Sequence, residues 1–476
     1  MPACSGGLLT RLKNILWRIE DSCGTAETLA AADGISRLTV DSTAEYNAPR
    51  EDRDLAQATL SHQGTLESTK AININVNSEL NTPDTLVQTG LEAEVVSAIN
   101  WQSGNLVRYS FSGTPTLSPV SIGDYLFCNS ADEAVNNGAF PITAFSDVND
   151  TIDVINRGVE DDTYDETTNG LCDVLNPIEY APAIEACSQD INVVRKITIG
   201  TLTGNLARND TITGGTSSAT GRVVVPMTAG AGGTLYYQLL TGIFQTGEVI
   251  TGALAGSATS SSAPSTAGYS VVPKSSNQEA VTVRLEDDGY QWTARSAMGE
   301  MSISFESSKK AMISFALQGP KSSTGDQTLT TVTRYSEQPP ILKNASLLIG
   351  STSPVFGGMT FAQNNEITLR PNANATGDSG FETARITGRR PTLTINMEWL
   401  LASEFDIITG YDAGTDYAIS FNVGTVAGKS VYFYADEAEI SAPPLGDNDG
   451  VLSVDLEFLL KGTGNNVDRE YEILFL

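Results

Sequence analysis

Histidine is almost absent from this sequence of 476 residues, which contains only His62. Serine–histidine–aspartate catalysis, histidine metal sites and most general-base chemistry each need a positioned imidazole. His62 stands in a polar stretch with no second histidine, which disfavours all three. We therefore expect no enzyme and no cofactor.

Cysteine is scarce as well, and long apolar runs are missing. The five cysteines form no C-x-x-C pair and are odd in number, which disfavours a zinc knuckle or a disulfide framework. No run approaches the roughly 18 apolar residues of a membrane-spanning helix, so we expect no membrane insertion. The apolar core of residues 1–24 is too short for a signal peptide, which favours synthesis in the cytoplasm.

Basic residues are few: 28 Lys and Arg stand against 57 Asp and Glu, a net charge of -29. This balance excludes a basic, DNA-gripping surface as the general plan. The 43 Gly and 40% hydrophobic residues describe an ordered, turn-rich and mainly β protein. The length suggests about three domains.

Two stretches have the composition of small inserted β modules. The first module, residues 84–174, has strand-like segments and an acidic end, which is either a solvated loop or a calcium site without the usual ligand spacing. The second module, residues 198–267, contains a short repeat, in which Leu202-Thr203-Gly204 returns as Leu240-Thr241-Gly242. Both copies of the repeat predict a strand, a turn and another strand.

The remaining chain carries strands with strict alternation of apolar and polar residues, as in Ala71 to Leu80. Such a strand has one dry and one wet face. The polar positions that we expect on the wet face are Asn73, Asn75, Asn77, Ser302, Ser304, Asn396, Glu398, Asp455 and Glu457.

The order of elements predicts a duplication. The first copy runs through strands at 35–46 and 70–80, a helix at about 178–189, and strands at 269–274, 280–295, 299–306 and 311–318. The second runs through strands at 358–370 and 391–399, a helix at about 402–409, and strands at 417–423, 429–440, 451–460 and 469–476. We call residues 1–83, 175–197 and 268–340 the first region and residues 341–476 the second region.

Six stretches, taken in order, carry a family resemblance. They are 17–25 (WRIEDSCGT), 49–54 (PREDRD), 71–80 (AININVNSEL), 180–184 (YAPAI), 281–299 (VTVRLEDDGYQWTARSAMG) and 449–451 (DGV). Their order resembles that of the major tail tube proteins of long-tailed bacteriophages. The resemblance covers most of the chain outside the two modules.

The resemblance implies a β-sandwich or barrel fold with short flanking helices, duplicated here, and a structural virion protein without catalysis. Its rings stack into the tail tube, assembled in the host cytoplasm, through which double-stranded DNA passes without specific binding. The implied partners are further copies of the chain, the tape measure protein inside the tube, and the tail terminator and baseplate or tail-tip proteins at its ends. The nine polar positions above would line the lumen.

The resemblance implies rings like those of single-copy members of the family, in which six subunits each give four strands to a barrel of 24. Two copies per chain therefore predict a trimeric ring, with a hexameric ring as the alternative if the second region lies outside the tube. We expect the loop with Arg50, Glu51, Asp52, Arg53 and Asp54 to contact the next ring, and both modules to lie outside the tube. A virion surface adhesin or carbohydrate-binding fibre protein is the alternative function.

Overall fold

The computed structural model describes residues 9, 11–35, 37–53, 64–80, 94–113, 115, 117, 120, 124–129, 131, 133, 136–156, 159, 162–167, 171–175, 179–253, 256–332, 339–375, 379–424, 430–442, 445–448, 450–462 and 468–476. In these residues the fold is mainly β, with many antiparallel strands and two short α-helices, which confirms the expected fold class.

The strands before the first helix are β1 (Lys13–Ile19), β2 (Thr43–Asn47), β3 (Arg50–Asp52), β4 (Thr65–Glu67), β5 (Ala71–Glu79), β6 (Glu94–Ser103), β7 (Leu106–Phe111), β8 (Tyr125–Asn129), β9 (Gly138–Ser146), β10 (Thr151–Ile155) and β11 (Leu171–Leu175). Helix α1 (Ala181–Ala186) is followed by β12 (Gln189–Ile199), β13 (Thr211–Gly214), β14 (Thr220–Val223), β15 (Gly233–Thr241), β16 (Val249–Gly252), β17 (Ser257–Thr259), β18 (Ser265–Pro273), β19 (Val281–Asp287), β20 (Tyr290–Glu306) and β21 (Met312–Asp326). The remaining elements are β22 (Ser346–Ile349), β23 (Phe356–Ala362), β24 (Asn365–Pro371), β25 (Phe381–Arg389), β26 (Thr392–Glu398), α2 (Ile407–Ala413), β27 (Asp416–Val423), β28 (Val431–Ala442), β29 (Leu445–Asn448), β30 (Val451–Lys461) and β31 (Glu472–Phe475).

Strands β6 to β11 of the first module close into a six-stranded barrel with its own apolar core, which includes Val107, Tyr109 and Ile152. Strands β13 to β17 of the second module surround another separate core. Its two repeats meet where β13 pairs with β16, Thr213 opposite Thr251. Each module therefore buries an apolar cluster of its own.

The first and second regions show the same chain of antiparallel pairings. In the first region, β1 pairs with β19, β19 with β20, β20 with β21, β21 with β5, and β5 with β2. In the second region, β22 pairs with β27, β27 with β28, β28 with β30, β30 with β26, and β26 with β23. Strand β29 continues the line of β28 along β30. Helix α1 follows β5 after the first module, and helix α2 follows β26 directly.

The main core lies between the sheets of both regions and consists of the apolar faces of the alternating strands. Ile72, Ile74 and Val76 are fully buried, as are their counterparts in β26. Trp17 of β1 packs edge-on against Phe315 of β21, with 5.5 Å between the ring centroids. Each fully buried side chain of this kind contributes roughly 1.5–3 kcal/mol of transfer free energy, so the alternating pattern fixes the register of the strands.

Several elements differ from the sequence prediction. The stretch 358–370 forms two strands, because the chain turns at Asn364, whose φ is +50°. The polar loop predicted after it contains β25, so this segment is a hairpin. Helix α2 begins later than predicted, because the carboxylate of Asp406 accepts a hydrogen bond from the backbone N–H of Thr409 and caps the first turn.

The strand predicted at 35–46 is regular only in β2. Before it, the side chains of Thr39 and Ser42 bind the backbone of Asn77: the Thr39 hydroxyl donates to its carbonyl, and the Ser42 hydroxyl accepts from its N–H. Such local side-chain bonds compete with a regular ladder. Strand β1 was not predicted as a strand, and its mixed polarity (KNILWRI) explains why.

Candidate assembly interface

One eight-stranded antiparallel sheet runs through both regions, in the order β2-β5-β21-β20-β23-β26-β30-β29. The junction between the regions lies in its middle, where the end of β20 pairs with β23. In this junction Ser302 stands opposite Ala362, Ser304 opposite Thr360, and Glu306 opposite Gly358. The two regions are therefore joined by ordinary strand pairing.

The sheet has one dry and one wet face. Ile74 is fully buried while its neighbour Asn75 is exposed, and Glu398 and Asp455 are exposed as well. The other predicted wet-face residues are half-buried: Asn73, Asn77, Ser302, Ser304, Asn396 and Glu457. All nine lie opposite the apolar core, and their role as a channel lining stays a prediction.

The register brings these nine residues together across strands. Asn77 stands opposite Ser314, which stands opposite Ser302. Further along, Asn396 stands opposite Asp455, and its amide donates a 2.6 Å hydrogen bond to that carboxylate. The wet face is thus a continuous polar surface and not a set of separate sites.

Over the central stretches of these strands, the charge on this face has one sign; Lys461 at the end of β30 follows the same alternation but pairs with Asp416 and Glu439. Carboxylates at Glu45, Glu300, Glu398, Asp455 and Glu457 alternate with the core residues of four different strands. No lysine or arginine occurs in 43–47, 71–79, 299–306, 312–320, 356–362, 392–398 or 451–460, all of which the structure describes. Such a face repels phosphate groups.

The two outermost strands of the sheet are edges. Among the described residues, β2 pairs only with β5, and β29 pairs only with β30. Thr43, Glu45, Tyr46 and Asn47 of β2 are exposed. A row of free backbone donors and acceptors is a template for pairing with another chain, which proteins normally cover.

The predicted ring-stacking residues lie in a small hairpin beside β2. Arg50, Glu51 and Asp52 form β3, pair with β4 and are exposed, and Arg53 follows them. Arg50 lies 3.8 Å from Glu67 across this hairpin. Asp54 lies outside the described residues, so contact with another ring stays a prediction for all five.

Sequence analysis missed a buried ionic cluster that joins the second module to β31. The carboxylate of Glu472 lies 2.6 Å from the Arg222 guanidinium and 2.7 Å from that of Arg208, and Arg208 also pairs with Asp436. Burial raises the pKa of Glu472, but the two arginines outweigh burial and lower this pKa to about 2. A similar buried pair, Asp173 with Arg195, joins β11 of the first module to β12. These charges are far apart in sequence, so no local pattern could have shown them.

Strand β29 was missed because Leu445–Asn448 has no alternation of apolar and polar residues. The Asp449-Gly450 pair, which is typical of tight hairpin turns, was the available signal.

Within the described part of the chain, no group of three or more His, Cys, Asp or Glu residues is arranged to hold a metal ion. Nor does any described helix combine the length and apolarity needed to cross a membrane. Comparison with models of known protein families and with curated proteins finds no match for this chain.

Proposed function

We propose that this chain is a structural protein of a phage tail, whose copies join into rings that stack into a hollow tube for the passage of DNA. The observation that carries the proposal is the eight-stranded sheet, with an acidic wet face and an edge strand on each side. A sheet that closes with further copies of itself has no free edges left. Its wet face would then line the lumen.

The junction inside the chain provides a template for the junction between chains. The shared order of pairings makes β23 the counterpart of β2, and β29 the counterpart of the end of β20. Applying the β20–β23 register to these strands places Gly446 opposite Asn47 and Asn448 opposite Glu45 of the next protomer. Ring closure would thus repeat a pairing that the chain already makes once.

The number of strands supports three protomers per ring. Three sheets of eight strands make a barrel of 24, and strands about 4.8 Å apart give a diameter of about 37 Å between backbones, more if they tilt. Inward side chains still leave room for a DNA double helix, whereas two protomers would leave a much narrower opening. The repeated pairing order likewise supports a duplicated tube domain and pseudo-sixfold symmetry.

Charge on the wet face supports a conduit and not a binding site. Three chains carry 3 × -29, or -87, formal charges per ring. Carboxylates facing the lumen repel phosphates, so DNA is not held during transit. As parts of this proposal, the tape measure protein occupies the tube before ejection, terminator and baseplate or tip proteins contact its ends, and the protein resides in the virion.

Electron microscopy of the purified full chain tests the proposal. We expect rings or tubes with threefold symmetry in averaged cross-sections. Rings of six equal chains would contradict the trimer. A chain that stays monomeric, or forms isolated trimers without a channel, would contradict the tube and favour the adhesin or fibre alternative.

A pair of cysteines tests the edge junction directly. In a Cys4→Ser, Cys23→Ser background, Asn47→Cys with Gly446→Cys should give disulfide-linked chains that end at a closed trimer after oxidation. Each single-cysteine variant is the matched control and should give no ladder. Intact rings that never crosslink would show that other surfaces close the ring.

A further inference from the structure

Among its described residues, the second region has two exposed leucines at one end of its apolar core. Leu452 lies on the core-facing side of β30, two residues before the fully buried Val454, yet 52% of its surface is exposed. Leu401 is 71% exposed and stands two residues after Trp399, whose backbone N–H donates to the carbonyl of Leu452. We call Leu401 and Leu452 the open end.

The same positions in the first region are covered. Asn77 pairs with Ser314 there as Glu398 pairs with Ser453 in the second region. Counting from these pairs, Leu80 corresponds to Leu401 and Ile313 to Leu452. Both Leu80 and Ile313 are fully buried. The difference therefore lies in what covers each end and not in the kind of residue.

The first region is covered by the chain segment that leads into the second region. The carbonyl of Pro340 accepts a hydrogen bond from Ala311, and the carbonyl of Leu342 accepts one from Ser308. Leu342 is only 6% exposed and belongs to the same core as Leu80. Four residues later the chain enters β22.

A similar segment leads into the first region, and its described residue Leu9 donates a backbone hydrogen bond to the Asp288 carboxylate while its side chain stays exposed. In the sequence, Leu9 comes four residues before β1, just as Leu342 comes four residues before β22. Each follows another apolar residue, Leu8 or Ile341. Leu8 lies outside the described residues, while Leu9 is 59% and Leu12 is 42% exposed. The Lys13 ammonium donates a 2.6 Å hydrogen bond to the Ser42 carbonyl, which places the start of β1 beside the start of edge strand β2.

We propose that Leu9 and Leu12 of one protomer cover the open end of the neighbouring protomer. The inference rests on the proposed ring, because β2 is the strand that would pair with β29 of that neighbour. Two apolar surfaces that are exposed in the single chain then bury each other, and Leu342 sets the precedent, because it is buried in the core of the first region. The occupant is a second copy of this chain.

Leu401→Asp and Leu452→Asp test the proposal, with Val148→Asp as the matched control at a 91% exposed position of the first module. Burying a leucine contributes roughly 1.5–3 kcal/mol, so each open-end variant should raise the concentration needed for ring formation at least about tenfold. Leu9→Asp should do the same from the other side. The control should assemble like the wild type, and all four variants should give wild-type thermal unfolding as protomers.

A Leu9→Cys, Leu401→Cys pair in the Cys4→Ser, Cys23→Ser background adds a structural readout. Crosslinks between chains in assembled rings support the proposal. Wild-type chains that form no rings overturn the proposed function and this inference with it. Normal rings from Leu401→Asp, or normal rings that fail only to stack, overturn this inference alone, the latter because the open end would then face another ring.

Discussion

The two helices occupy the same place in the order of strands but have different surroundings. Helix α1 buries Ala181, Ala183, Ile184, Glu185 and Ala186 and contacts β12, β20 and β1. In α2 only Ile407 and Gly410 are buried, and Ile408 and Tyr411 are 48% and 44% exposed. The pairing scheme sets the framework of each region, whereas the surrounding chain decides which apolar residues become core.

The same contrast holds at the end of the sheet, where Leu80 is covered and Leu401 is not. Leu80→Asp should therefore destabilise the protomer by at least about 4 kcal/mol, because it places an unpaired charge in the core. Leu401→Asp should cost less than about 0.5 kcal/mol in the unassembled chain. Thermal unfolding of both protomers measures the difference, and equal losses would show that the two ends are not different environments.

A second contrast concerns the modules, since only the first region carries them and the second module is held by β31 of the second region. Glu472→Gln should destabilise the protein by about 3 kcal/mol, because it leaves the buried Arg222 without its carboxylate. Asp412→Asn, at an exposed position of α2, is the control and should change stability by less than about 0.5 kcal/mol. Denaturant unfolding followed by limited proteolysis of residues 198–267 would measure both. If Glu472→Gln matched the control, the ionic cluster would contribute nothing to module docking.

The lowered pKa of Glu472 predicts that the free energy of unfolding depends on pH. In the folded protein the pKa of Glu472 is lowered to about 2 from its ordinary value of 4.5, so its stabilising effect is present above pH 4.5 and is lost as the pH falls towards 2. The full effect is of the order of 3 kcal/mol. Glu472→Gln should remove this part of the acid sensitivity, as seen in unfolding curves at pH 6, 4 and 3. An unchanged difference between pH 6 and pH 3 in the variant would assign the acid sensitivity to other groups.

Alternation explains why the sheet was predictable while its connections were not. Ile72, Ile74 and Val76 indicate a strand with one dry face, because their two-residue spacing follows directly from strand geometry. Strand β29 lacks that spacing, and the position of the β24–β25 hairpin in the fold does not follow from alternation. Arg295 of β20 holds that hairpin through hydrogen bonds to the carbonyls of Phe381 and Glu382, a contact between distant segments.

The candidate interface was predictable in part for the same reason. The nine wet-face residues follow from alternation, and the structure places them on one surface. The edges do not follow from alternation, because a strand's neighbours depend on the whole sheet. The open end was also hidden, since Leu80 and Leu401 look alike in sequence and differ only in what covers them.

The smallest effect on protomer stability is expected at the β3–β4 hairpin. This hairpin is exposed whereas the β24–β25 hairpin is packed, which is the same contrast as between the two ends of the sheet. Ala384 and Ile386 of the latter are buried against the first region, whereas Leu66 of the former is 56% exposed. Arg50 and Glu67 are 62% and 44% exposed, so Arg50→Ala should change protomer stability by less than about 0.5 kcal/mol.

If this hairpin contacts the next ring, reversing the charges with Arg50→Glu and Arg53→Glu should shorten the tubes while rings still form, because the contact repeats around each ring. Tube lengths in micrographs, with Val148→Asp as control, measure this effect. Tubes of wild-type length would show that the hairpin does not take part in the stacking contact. Its exposed Leu66 would then be available to contact a neighbour in the same ring.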